Sequence, residues 1–279
     1  MVNNFQLPPV GFGPGSQPPE EDGAELEFLP MPQDMRTYTT HLPEVEVDDR
    51  LKPALDLLAD ISAACATAGE TGQSAEFDLS ILDAPNRALI AETMGAGEVA
   101  MKLHGIPAIA IQESVFAGVW MLKAAGMDVI EVGDVPQLVR ARAFEPRKRA
   151  GLSATPRQPG VVNAPPLLVE LMDKSARFAP GTEVHVVNLT LLPHTEQDLD
   201  WLDEALGQGA GDILSRGYGN CRVTATALVN VWRVQFFNSM DTLILDTFEV
   251  TEMPEVALAA AEDLIDSGER IQEVLEAIQ

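Results

Sequence analysis

Apolar side chains recur at helical spacing in two well-separated stretches of the chain. Leu51, Leu55, Leu58 and Ile61 share one face of residues 50–68, and Leu167, Leu168, Leu171 and Met172 share one face of residues 165–178, which predicts an amphipathic helix in each. A β-branched run follows each helix, over residues 76–83 and 183–192, and reads as a strand. A second helix is then expected around Asn86 to Met94 and again around Thr195 to Leu206. Thr195 is placed to cap the latter, with Glu196 and Asp198 as acids in its first turn. Both helices run into a Gly-x-Gly turn, where a glycine in the left-handed conformation can close a helix. Three or four segments rich in β-branched residues follow, separated by turn residues, and predict an antiparallel meander. A closing helix is expected from Val135 to Phe144 and from Pro254 to Ile278, the latter with Pro254 near its first turn.

These two successions also match in sequence. At a single ungapped offset Gly95 meets Gly207, Gly97 meets Gly209, Gly105 meets Gly217, and Val119-Trp120 meets Val231-Trp232. The expected fold is therefore α+β: an internal duplication of an α-β-α unit with an antiparallel β meander and a closing α-helix, in two pseudo-symmetric copies with helices on one face of the sheet. The copies can meet edge to edge or through their helices. Joined sheets would remove two exposed edges.

Outside the copies the pattern changes. Residues 1–50 are rich in Pro, Gly and acid with scattered apolar positions, and read as an extended arm. Residues 145–164 carry prolines that no helix can run through and read as a basic linker, either mobile and solvated or a docking strip for an acidic surface. The first copy then covers 51–144 and the second 165–279. The chain has 279 residues, 43 acidic against 18 basic, and a net charge of -25, which disfavours nucleic acid and anionic membrane surfaces as partners. With no long apolar run, and none of the features of a signal peptide at Met1 to Gln6, a cytoplasmic protein without membrane insertion is expected.

Candidate chemistry is sparse. Cys65 and Cys221 are the only cysteines, too few for a disulfide framework or a four-cysteine metal site. No metal or cofactor of the chain's own is expected, and any iron-sulfur cluster would need ligands from a partner. In the run Cys221-Arg222-Val223-Thr224-Ala225, alternation turns the thiol toward the buried side. It is either core packing or, with Arg216 and Arg222 close in sequence, a functional thiol. None of the four histidines pairs recognisably with it, and no nucleophile elbow, phosphate loop, dinucleotide fingerprint or metalloprotease helix is present, so no catalytic residue is expected. Trp120 and Trp232 are either core residues or anchors of a recognition surface. The turn Gly217-Tyr218-Gly219-Asn220 reads as plain turn geometry or as a contact tip.

Taken together, "GPGSQPPEEDG", "FLPMPQDMRTY", "GAGEV", "GYGNCR", "VWRVQFFNSMDTLILDTFEV" and "PEVALAAAEDLIDS" make the chain resemble the HupH/HyaF/HoxQ-type hydrogenase expression and formation proteins. Ala96 stands where that pattern usually carries an acid. The resemblance implies an accessory chaperone for the small, iron-sulfur-bearing subunit of a [NiFe]-hydrogenase, held before export, with a second accessory protein as a further partner. Client contacts are then expected from Gly13, Pro14, Gly15, Ser16 and Gln17 in the arm, and from Tyr218, Gly219, Asn220, Cys221, Arg222 and Trp232. The competing readings are a redox or cluster-handling factor in which Cys221 bonds transiently to the client, and a hydrolase with Cys221 as nucleophile.

Overall fold

A computed structural model describes residues 49–217 and 219–278. The expected client contacts at Gly13 to Gln17 and at Tyr218 lie outside the described residues. The structure is α+β, organised on one ten-stranded antiparallel sheet. In chain order the elements are α1 (Lys52–Thr71), β1 (Ala75–Asp78), α2 (Ala84–Met94), β2 (Val99–Leu103), β3 (Ile109–Glu113), β4 (Val119–Ala124), β5 (Met127–Val132) and α3 (Gln137–Arg142). They continue with α4 (Ala164–Arg177), β6 (His185–Asn188), α5 (Glu196–Leu206), β7 (Gly211–Ser215), β8 (Asn220–Ala225), β9 (Val231–Phe237), β10 (Leu243–Val250) and α6 (Ala261–Ile278).

The strands run β1-β5-β4-β3-β2-β7-β8-β9-β10-β6 across the sheet. The two halves thus join edge to edge at β2 and β7, with Val99 opposite Ser215 and Leu103 opposite Gly211. The join satisfies backbone groups that two separate sheets would leave at open edges. Hydrogen bonds repeat across it. Arg216 N–H donates to the Glu98 carbonyl as His104 N–H donates to that of Ala210, and Gly97 N–H donates to Glu113 as Gly209 N–H donates to Ala225.

Alternation along the strands builds three buried clusters. On one face Val119, Ile130 and Val132 meet α1, α2 and α6, and Val231, Phe248 and Val250 meet α4 and α5. On the other face Met101, Ile111, Trp120, Val223, Trp232 and Val234 form a core shared by both halves, closed by Val139 and Ala143 around α3 and by Met253 and Ala257. The expectation of helices on a single face is therefore corrected. The short α3 covers the opposite face because the central strands carry apolar residues on that side as well.

Two further corrections concern the ends of the second half. The closing helix begins at Ala261, not at Pro254, which instead precedes a single tight turn at Glu255–Ala257. The run 183–192 contributes a four-residue strand, after which Leu189 to Leu192 form a turn that is still bonded to Asp246 of β10. The basic segment is packed: Arg147 and Lys148 N–H groups both donate to the Gln208 carbonyl, and the Trp201 indole donates to that of Thr155. Two of its four bases are spent internally, Lys148 on Glu204 and Arg147 on Asp212. No helix among the described residues is long and apolar enough to cross a membrane.

Candidate functional site

The antiparallel order brings three connections to one end of the sheet. They are the turn into β2 at Gly95–Glu98, the β7–β8 connection, and the β9–β10 hairpin. The first is shaped by its glycines. Gly95 has φ +56 and Gly207, its counterpart before β7, has φ +65, the left-handed region that side chains resist. At Gly97 a Cβ would lie 2.1 Å from the Ser114 carbonyl oxygen, and at Gly209 it would lie 2.4 Å from that of Ala143. One glycine of each pair thus supplies the turn and the other a close backbone approach.

Beside it, Arg216 N–H donates to the Glu98 carbonyl, and Gly219 has φ +98. Asn220 pairs with Phe237 in the sheet register, and its side-chain amide donates to Asp241 at 3.3 Å. Exposed Arg222 lies with its guanidinium 4.7 Å from the centre of the Phe237 ring, a cation–π contact across two strands. The β7–β8 connection and the β9–β10 hairpin are therefore tied into one surface. Asn238 organises the hairpin tip by accepting the Met240 and Thr242 N–H groups on its side-chain oxygen. Met240 at the tip is 80% exposed, and Leu243 and Ile244 are also exposed. Next to this surface β2, β7 and β8 carry a shallow hollow lined by Ala100, Lys102, Asp212, Leu214, Arg222 and Thr224, on the part of the sheet face that neither helical layer covers.

Of the residues expected to face a client, Gly219, Asn220 and Arg222 come together here. Cys221 and Trp232 do not, and this corrects the expectation for both. Trp232 is fully buried, donates its indole N–H to the Glu252 carbonyl and packs edge-on against Phe144 with ring centres 4.8 Å apart. Cys221 is 1% exposed within the shared core. Burial, with the Glu249 carboxylate adding to it, pushes its thiol up to about 12. Such a thiol is protonated at neutral pH and is a poor nucleophile. Cys65 is buried in α1 and raised to about 12 by desolvation.

Met240, Leu243 and Ile244 were not singled out by sequence reasoning. They lie at the hairpin tip and at the start of β10, where the pairing with β9 shifts register between Leu243 and Leu245. Among the described residues no group of three or more His, Cys, Asp or Glu side chains gathers as a metal site. What the surface offers is contact: apolar side chains at a hairpin tip, a stacked arginine and an amide.

Comparison with known proteins gives a consistent picture. The family described as "HupH hydrogenase expression protein, C-terminal conserved region" matches residues 51–147 and 161–278. The hydrogenase expression/formation protein HupH of Rhodobacter capsulatus is 63% identical over 100% of both chains. The corresponding protein HoxQ of Cupriavidus necator is 45% identical over 98% of both. The solved structure of hydrogenase expression protein HupH from Thiobacillus denitrificans is 28% identical, with a TM-score of 0.37, over 41% of this chain and 94% of that one.

Proposed function

The chain belongs to the HupH family of hydrogenase expression proteins, and we propose that it acts in hydrogenase maturation as a chaperone that binds the immature small, iron-sulfur subunit of a [NiFe]-hydrogenase. The observation that carries the choice of surface is the apolar hairpin tip tied to the β7–β8 connection: Met240 stands in solvent while Asn220, Asp241, Arg222 and Phe237 hold the two connections together. A chain that exposes large apolar residues in this way is suited to a protein partner. Its net charge of -25 favours a client segment with basic character and speeds encounter at low salt. We also read the two halves as copies of one unit, supported by the repeated hydrogen bonds and by the two matched segments.

Residues 1–50 add their own contacts to the client on this reading, and a second accessory protein joins the complex. Binding takes place before export, in the cytoplasm. The alternative in which Cys221 bonds to the client through a cluster or disulfide is opposed by the burial of the thiol and its raised pKa. Co-purification of the tagged full chain with a signal-bearing small-subunit precursor tests the reading, with variants Met240→Asp and Leu243→Asp expected to lose most of the precursor and Cys221→Ala to keep it. Retention of equal precursor by all three would remove this surface from the account.

A further inference from the structure

The apolar tip does not end at the hairpin. Beyond Asn188 the chain leaves β6 but stays against β10: Leu189 N–H donates to the Asp246 carbonyl at 2.9 Å, and the Thr190 hydroxyl accepts the Asp246 N–H at 2.8 Å. The next two residues are Leu191, 79% exposed, and Leu192, also exposed. In β10, Ile244 stands two positions before Asp246 and is exposed as well. Five large exposed apolar residues thus fall at one corner of the sheet, where β6 ends and the β9–β10 hairpin enters β10: Leu191, Leu192, Met240, Leu243 and Ile244. The turn after β6 and the hairpin are both tied down, since Leu191 N–H donates to the Asn188 side chain, Leu192 N–H to the Leu189 carbonyl, and Met240 N–H to the Asn238 side chain.

The charges around the corner select among occupants. Asp241 is exposed on the hairpin itself, where it accepts the Asn220 amide. Of the bases on the neighbouring strands, Arg233 is neutralised between Asp203 and Asp246, and Arg222 is turned onto the Phe237 ring. A second copy of the chain would bring another net charge of -25 to the contact, and like charges set face to face oppose association. We infer that this corner is a docking ridge for an apolar segment of another protein that is flanked by lysine or arginine. The apolar core of such a segment covers the five side chains, and its flanks meet the acidic field of the chain. This rests on the client-binding reading above and names the chemistry of the segment taken.

The test uses the full-length chain and three labelled peptides followed by fluorescence anisotropy. One has a Leu/Ile core with Lys flanks, one the same core with Glu flanks, and one a Ser/Gly core with Lys flanks. The first is expected to bind and the other two to bind at least about tenfold more weakly, with affinity for the first falling as salt is raised. Leu191→Asp and Ile244→Asp are each expected to weaken the first peptide about tenfold or more, while thermal melts of these surface variants stay near the parent's. Equal binding of the Ser/Gly peptide, undiminished binding by both variants, or a dimer that the variants dissolve overturns the proposal. Hydrogenase precursor bound equally by the parent and both variants sinks the ridge and leaves the client reading standing. Precursor ignored by the parent, with the peptide results as expected, sinks the client reading and leaves the ridge.

Discussion

At the scale of single residues, burial decides which side chains can act on a partner. Cys221 sits opposite Ser215 and Phe236 in the sheet, inside the shared core. Cys221→Ala should cost about 1–2 kcal/mol through the lost contacts and leave partner binding intact. Thiol labelling of the folded parent at pH 7 should be slow and should speed up on unfolding. Fast labelling of the native chain would show that the thiol is reachable after all. Glu113 is buried with its carboxylate accepting the Gly118 N–H. Desolvation raises it to about 7 against the pull of the Gly118 and Val99 N–H groups, with Glu98 and Asp263 pushing the same way as burial. Folded and unfolded chains both hold this proton below pH 4.5, and only the folded chain holds it between there and about 7. Its contribution is therefore lost as pH rises through 7. Glu113→Gln should remove that loss, gaining up to roughly 3 kcal/mol on the parent at pH 8 relative to pH 4, measured by denaturant melts at the two values.

At the scale of elements, capping explains why α5 begins where the sequence predicts. Thr195 accepts the Asp198 N–H and Asp198 accepts the Thr195 N–H, a reciprocal box. The same Asp198 carboxylate also accepts the N–H groups of Val162, Asn163 and Ala164, so it fixes the start of α4 as well. Burial alone would raise this carboxyl, and the four backbone donors hold it at about 2 instead. Asp198→Ala should lose about 2 kcal/mol, because four N–H groups, the buried one of Ala164 among them, would lose their acceptor, and thermal unfolding reads this directly. The Thr195 cap, the Gly-x-Gly turns, α1, α2 and α4 were all legible, since each depends on local spacing or on one residue's conformational range. The start of α6 and the exposed start of β10 were not. Pro254 and the Ala-rich run are compatible with a helix, but Glu255 to Ala257 close a separate turn against the shared core. Leu243 and Ile244 are exposed beside a register shift in the pairing with β9, and no local pattern encodes that shift. The same holds for Trp232, whose matched position with Trp120 was visible while its burial against Phe144 required the tertiary structure.

At the scale of the whole molecule, the sheet and its covering elements tie the two halves into one core. α6, from the second half, packs along α1 of the first through Leu264, Ile271, Val274 and Leu275. α3 of the first half leads to Ala143, whose carbonyl accepts the Ala210 and Gly211 N–H groups at the start of β7. Ile271→Ala should cost about 2–4 kcal/mol and lower the midpoint of a single cooperative transition seen alike by circular dichroism and by tryptophan fluorescence. Two separate transitions would show that the halves unfold independently. The sheet in turn anchors the β9–β10 hairpin and the turn after β6 by backbone hydrogen bonds, so that partner binding need not order them first.

The claim on which the account depends is that this surface engages an immature hydrogenase subunit, and the direct measurement is the stoichiometry of precursor retained by the tagged full chain from cells making the small-subunit precursor. The account predicts one unprocessed precursor per chain, released as salt is raised and lost in Met240→Asp. A chain that retains none of the precursor, or retains it undiminished in that variant, contradicts it.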